Sequence, residues 1–140
     1  MGFFDRFRSG FQGDRVNIRE RFEIMRSAVS GTMSKFFMAR DRKNNAIVGL
    51  KLADRDKVTA FEARFKGLKK PSEGEIAIAL KHPLVVETLE FGTSTDDVPF
   101  LVMEFVNGPG LHQLIKSRDP VVQSVRGKIV RQMAESLGYV

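Results

Sequence analysis

Lys51 stands in the run Ile47-Val48-Gly49-Leu50-Lys51-Leu52-Ala53, an otherwise apolar stretch that reads as a β-strand. Burying an unpaired ammonium costs several kcal/mol, so a lysine at this position calls for an anion beside it. The bland reading is a side chain that reaches solvent from a strand edge. Little else in the chain has the makings of a reaction centre. His82 and His112 are the only histidines, and cysteine is absent, which removes histidine-based and thiolate metal sites together. Asp96, Asp97 and Asp119 fall on turns with no supporting pattern around them.

The 140 residues carry 23 Lys and Arg against 17 Asp and Glu, a net charge of +6. The bases (Arg6, Arg15, Lys35, Arg42, Lys57, Lys69, Arg118, Arg131) are scattered rather than clustered. Such a distribution suits a solvated surface, and no nucleic-acid partner is expected. A nucleotide triphosphate or a membrane surface would suit the sign equally well. No apolar stretch approaches the roughly 18 residues of a membrane span, and no secretory signal core opens the chain. Gly2 follows Met1, but Arg6 stands where myristoylation needs Ser or Thr. A cytoplasmic domain without disulfides is the expectation.

The elements that position Lys51 follow from periodicity. Residues 1–21, with Phe3, Phe4, Phe7 and Phe11 among arginines and glycines, read as a flexible tail that packs a few rings on the domain. Its Phe spacing also fits one helical face, but membrane contact is not the expected role. "FEIMRSAVS" (22–30), "KFFMAR" (35–40) and "AIVGLKLA" (46–53) are short strands, the last two joined by an Asn44-Asn45 hairpin turn. A helix over 56–70 would place Val58, Phe61, Phe65 and Leu68 on one face, and Pro71 ends it. Ser72 and Glu75 form a capping box for a second helix over 72–80, which stops at His82-Pro83. "LVVETLEFG" (84–92) and "VPFLVMEFV" (98–106) are further strands. After the break Asn107-Gly108-Pro109-Gly110, helices are expected over 111–117 and 120–138, the second with Val122, Val125, Ile129, Met133 and Leu137 in one stripe. The class is α+β.

This order and its local residues resemble a protein kinase of the eukaryotic type, bacterial Ser/Thr kinases included, over residues 22–140. "IVGLK" is similar to the Val-Ala-x-Lys strand, "LKHPLVV" to the stretch leading out of helix C, "PFLVMEFVNGPGLHQLI" to strand five, hinge and helix D, and "KIVRQMAESLGYV" to helix E. The resemblance implies a five-stranded antiparallel sheet with helix C over 22–106, the ATP-binding lobe. It implies that 107–140 is the hinge with helices D and E of an incomplete second lobe.

It also implies roles. Lys51 reaches the α- and β-phosphates of ATP and pairs with a helix-C glutamate, the two forming part of the family's catalytic machinery. Counting ten residues back from Pro83 gives Glu73, while Glu75 and Glu62 stay open as alternatives. The phosphate loop Gly-x-Gly-x-x-Gly-x-Val aligns with Val29-Ser30-Gly31-Thr32-Met33-Ser34-Lys35-Phe36, in which only Gly31 is kept. Ser34 matches the Gly-Gly-Met-Ser of some bacterial kinases, whereas Val29 and Phe36 depart from the pattern. Phe36 could stack on the base or fill its pocket. Gly49 replaces an alanine over adenine and leaves room for that ring. Met103 takes the gatekeeper position, and the Glu104 carbonyl and Val106 N–H would bond the adenine edge.

The His-Arg-Asp and Asp-Phe-Gly motifs that supply the catalytic aspartate and the magnesium ligands do not occur in these residues. The leading expectation is therefore the ATP-binding part of a Ser/Thr protein kinase, inactive alone, with ATP and a protein substrate as partners and magnesium expected only in a full-length parent. The alternative is a non-catalytic kinase-like module acting through helix C or the tail. An unrelated basic α+β domain is the third reading.

Overall fold

The computed structural model describes residues 15–30, 33–64 and 71–140. A short helix α1 (Ile18–Arg21) leads into β1 (Phe22–Ser30), β2 (Ser34–Asp41) and β3 (Ala46–Ala53). Then come α2 (Arg55–Ala63), α3 (Glu73–Ala79), β4 (Thr88–Thr93), β5 (Pro99–Glu104), α4 (Leu111–Lys116) and α5 (Pro120–Tyr139). The five strands form one antiparallel sheet in the order β1-β2-β3-β5-β4. The fold is α+β.

Turn chemistry sets the hairpins. Asn45 adopts φ 60°, its N–H donates to the Asp41 carbonyl at 2.7 Å, and the Asn44 side chain accepts from Ala46 N–H at 3.0 Å. Asparagine tolerates this left-handed backbone, so β2 and β3 pair without slippage from Ser34↔Ala53 to Asp41↔Ala46. Between β4 and β5 the buried Ser94 hydroxyl accepts from the N–H groups of Asp96 and Val98.

Side-chain alternation then divides the sheet. Val48 and Leu50 on β3 face one way and join Phe22, Ala39, Phe100 and Val102 in the buried core, with Val16, Ile18, Phe37 and Leu52 packed around it. Phe22 meets Phe100 edge-on at 6.4 Å. Gly49 and Lys51 face the opposite side. The sheet therefore builds its hydrophobic core on the face away from Lys51.

Two sequence expectations are corrected here, and a third falls partly outside the described residues. Residues 15–21, assigned above to a flexible tail, join the fold: Val16 bridges to Ser94, and Val16 and Ile18 cover the core. Residues 1–14 lie outside the described residues. Strand four begins at Thr88 instead of residue 84, because His82 captures Leu84 N–H with Nδ1 and Val85 N–H with its carbonyl, winding 82–85 into a turn. The helix expected over 56–70 runs as Arg55–Ala63, and positions 65–70, with Phe65 and Leu68, lie outside the described residues.

Candidate functional site

Lys51 sits in the middle of the sheet, paired with Phe36 on β2 and with Leu101 on β5. Leu101 pairs in turn with Phe91 on β4, so Phe36, Lys51, Leu101 and Phe91 form one row across four strands on the same face. Helix α3 seats on the Phe91 end of that row. A Cβ on Gly74 would lie 2.5 Å from Phe91 Cγ and 2.9 Å from Phe91 Cβ, closer than real side chains come, so only glycine lets the helix settle there. Gly74 follows Glu73 directly, and the close seat brings the Glu73 carboxylate to Lys51. Lys51 Nζ donates to Glu73 Oε1. The Lys51 side chain is 29 % exposed and that of Glu73 64 %, so the pair opens to solvent on the glutamate side.

Glu75 is committed to the helix start. Its carboxylate accepts from Ser72 N–H at 2.7 Å while Ser72 Oγ accepts from Glu75 N–H at 3.2 Å, completing the capping box. The Glu62 side chain lies outside the described residues. Among the described side chains, Glu73 is the glutamate that the structure brings to Lys51.

The loop that aligns with the phosphate-binding pattern is described only in part. Gly31 and Thr32 lie outside the described residues, and of Val29 and Ser30 the pairing to Phe36 and Lys35 is described. The Met33 carbonyl accepts from Asp54 N–H at 2.8 Å, tying the loop's return to the end of β3. Ser34 opens β2 opposite Ala53. Phe36 is half-buried, with its ring tip against the bare backbone of Gly49. Met103, also half-buried, pairs with Gly49 from β5.

At the strand exit, Glu104 N–H donates to the Glu87 carbonyl at 3.0 Å and the Glu104 carboxylate accepts from Glu87 N–H at 2.9 Å. These bonds fix the end of β5 before the exposed Val106. Beyond it, α5 returns to the turn after α3. Lys81 N–H donates to Tyr139 Oη at 2.9 Å, and the His82 and Tyr139 rings lie 4.9 Å apart. His112 is exposed on α4.

Sequence reasoning passed over Gly74, Phe91 and Tyr139. The signal for Gly74 is a glycine inside the first turn of a capped helix, where its propensity cost asks for a packing reason. Phe91 and Tyr139 gave no local signal, because their contacts are with residues distant along the chain.

Comparison with known proteins agrees with this fold. The family model described as "Protein kinase domain" matches residues 22–140. A probable serine/threonine-protein kinase of Clostridium perfringens is 32% identical over 117 residues, covering 84% of this chain and 16% of the relative. The serine/threonine-protein kinase PknB of Mycobacterium leprae is 28% identical over 128 residues, 88% of this chain and 20% of the relative. The chain thus spans about a fifth or less of the length of these curated relatives. Among solved structures, Rad53 in complex with AMP-PNP superposes with a TM-score of 0.67 at 21% identity, covering 96% of this chain and 34% of that one. The PknI kinase domain of Mycobacterium tuberculosis gives 0.60 at 23% identity, covering 85% of this chain and 47% of that one. At these identities the likeness establishes the fold.

Proposed function

The chain belongs to the protein kinase family, and on that premise we propose that residues 22–106 bind ATP for a Ser/Thr protein kinase, with 107–140 as the hinge and the first helices of the adjoining lobe. The observation that carries this reading is the Lys51–Glu73 ion pair between a central strand and a capped helix. A half-buried ammonium held on a carboxylate is fixed in direction and offers its remaining donors to phosphate oxygens. In this reading Lys51 contacts the α- and β-phosphates, and Glu73 is a positioning residue that acts through Lys51. The loop Val29–Phe36 covers the phosphates, and the Glu104 carbonyl and Val106 N–H take the adenine edge, with Met103 at the back of the base site.

The reaction served is transfer of the ATP γ-phosphoryl group to a serine or threonine of a protein substrate. Among the described residues no group of three or more His, Cys, Asp or Glu is placed to hold a metal ion, and magnesium belongs in this reading to a full-length parent. The proposed role of these 140 residues is to bind and orient the nucleotide. Among the described residues no helix is long and apolar enough to cross a membrane, and a cytoplasmic setting is part of the same proposal.

Calorimetric titration with ATP, with and without Mg²⁺, tests it on wild type and Lys51→Met. Weak binding is expected, because two of the three loop glycines are replaced and fewer backbone N–H groups can approach the phosphates. Lys51→Met should weaken it further. Equal binding by the two proteins would remove the phosphate role of Lys51.

A further inference from the structure

Strands β1 and β4 form the outer edges of the sheet, and the described chain enters along β4. Val16 N–H donates to the Thr93 carbonyl at 3.2 Å, and Thr95 N–H donates to the Val16 carbonyl at 3.0 Å. These two bonds make one parallel rung on the side of β4 away from β5. Arg15 adds an ion pair to Asp97 at 2.6 Å. Thr93 lies opposite Pro99, which has no N–H to give, and Thr93 turns its own N–H and carbonyl outward. The carbonyl takes Val16, and the N–H faces the line along which the preceding residues arrive. Beyond this rung no strand covers the outer edge of β4 among the described residues.

A parallel rung fixes both direction and register. The residues before Val16 run back along β4, from Ser94 towards Thr88. Continued past Arg15, beyond the described residues, the same register sets Asp14 level with Gly92 and Phe11 level with Leu89. Leu89 is 49 % exposed, an apolar side chain in need of cover. We propose that residues 11–14 add to the outer edge of β4 as a short parallel strand, with the Asp14 carbonyl accepting from Thr93 N–H and Phe11 covering Leu89. Strand addition of this kind draws affinity from main-chain hydrogen bonds and selectivity from an anchoring side chain, and it closes an edge that would otherwise invite pairing with other chains. The chain's own segment is the occupant because the Val16 rung and the Arg15 ion pair have already aimed it. Covalent attachment also holds it at an effective concentration that a separate peptide or a second copy does not match. Phe91 on the same strand seats α3 against Gly74, so the added segment borders the contact that brings Glu73 to Lys51.

Amide hydrogen exchange of the 140-residue chain, read residue by residue by NMR, tests this register. Alternate residues of a parallel strand point their N–H groups at the neighbour. Gln12 and Asp14 should therefore exchange at least about tenfold more slowly than Phe11 and Gly13, after correction for intrinsic rates, and Thr93 N–H should be protected with them. Asp14→Pro removes one donor and should speed Thr93 exchange about tenfold. Asp14→Ala keeps the backbone N–H and should leave Thr93 within about threefold of wild type. Phe11→Ser, which uncovers Leu89, should speed exchange at Gln12 and Asp14 several-fold. Equal exchange across residues 11–14 would overturn the proposal, and so would Thr93 protection that survives Asp14→Pro. Thr93 protection that rises with protein concentration would also overturn it, by giving the edge to a second copy. Should a variant fail to fold, the alternation in wild type decides alone.

Discussion

Arg21 grips Asp41 with three hydrogen bonds, Nε to Oδ1 at 3.1 Å and to Oδ2 at 3.3 Å, and Nη2 to Oδ2 at 2.7 Å. The same guanidinium reaches Glu90 on β4 through Nη1 and Nη2, both at 2.7 Å. One side chain from the last residue of α1 thereby clamps β2 to β4, the strand at the far edge of the sheet. The hydrogen bonds that Arg21 donates to Glu90 and Asp41 raise its pKa above the usual value against the opposing effect of burial. Burial alone pushes the Asp41 carboxyl upward, but Arg21 and the Lys43 N–H outweigh it and hold Asp41 below the ordinary carboxylate value. Arg21→Ala leaves the buried Asp41 without its cation, and the expected loss is about 3 kcal/mol in urea unfolding at neutral pH. Because the folded-state pKa of Asp41 is depressed, its contribution is present above the unfolded value of about 4 and disappears as pH falls below it. The stability difference between wild type and Arg21→Ala should therefore shrink as pH falls below about 4 and on through the depressed folded-state value of Asp41. A difference that stays constant over that range would disprove the clamp.

The Lys51–Glu73 pair behaves differently, because the glutamate side chain is 64 % exposed. Exposed pairs contribute roughly 0–1 kcal/mol. Glu73→Gln should leave the unfolding midpoint almost unchanged while weakening ATP binding several-fold, since Lys51 loses the group that directs it. Loss of stability with unaltered nucleotide affinity would reverse the assignment and make the pair structural.

Gly74→Ala probes how that pair is assembled. The new methyl would overlap Phe91, and α3 must lift from β4 to make room. Overpacking of this kind costs about 1–3 kcal/mol, and the shift should also carry Glu73 away from Lys51. Phe91→Leu in the same chain should restore part of both the stability and the nucleotide affinity. If Gly74→Ala alone matches wild type in both assays, the close seat of the helix is not what positions Glu73.

The apolar stripe of α5 is incompletely covered, with Met133 51 % and Leu137 73 % exposed. Apolar side chains left in water forfeit roughly 1.5–3 kcal/mol each and favour association. Sedimentation of the 140-residue chain should show concentration-dependent self-association, reduced by Met133→Lys together with Leu137→Lys. A monomer at every concentration, for wild type and variant alike, would show that the stripe does not drive contact.

Much of this protein was legible in its one-dimensional pattern. The strands over 22–30 and 46–53, the capping box at Ser72 and Glu75, the Asn44-Asn45 turn and the helix after Asp119 all follow from periods and turn residues acting within a few positions. Lys51 declared itself in the same way, as a charge inside an apolar strand. Its partner did not. Glu73 and Glu75 are alike in sequence, and the choice between them was made by Gly74 resting on Phe91, a contact between residues 17 positions apart. The fate of residues 15–21 was likewise decided in three dimensions: Arg21 finds Asp41 and Glu90, 20 and 69 positions away. Local propensity reports only on neighbours along the chain. A segment that draws its order from a distant ion pair, or a helix whose angle depends on one missing methyl, acquires its place only when the sheet has formed and brought those partners together.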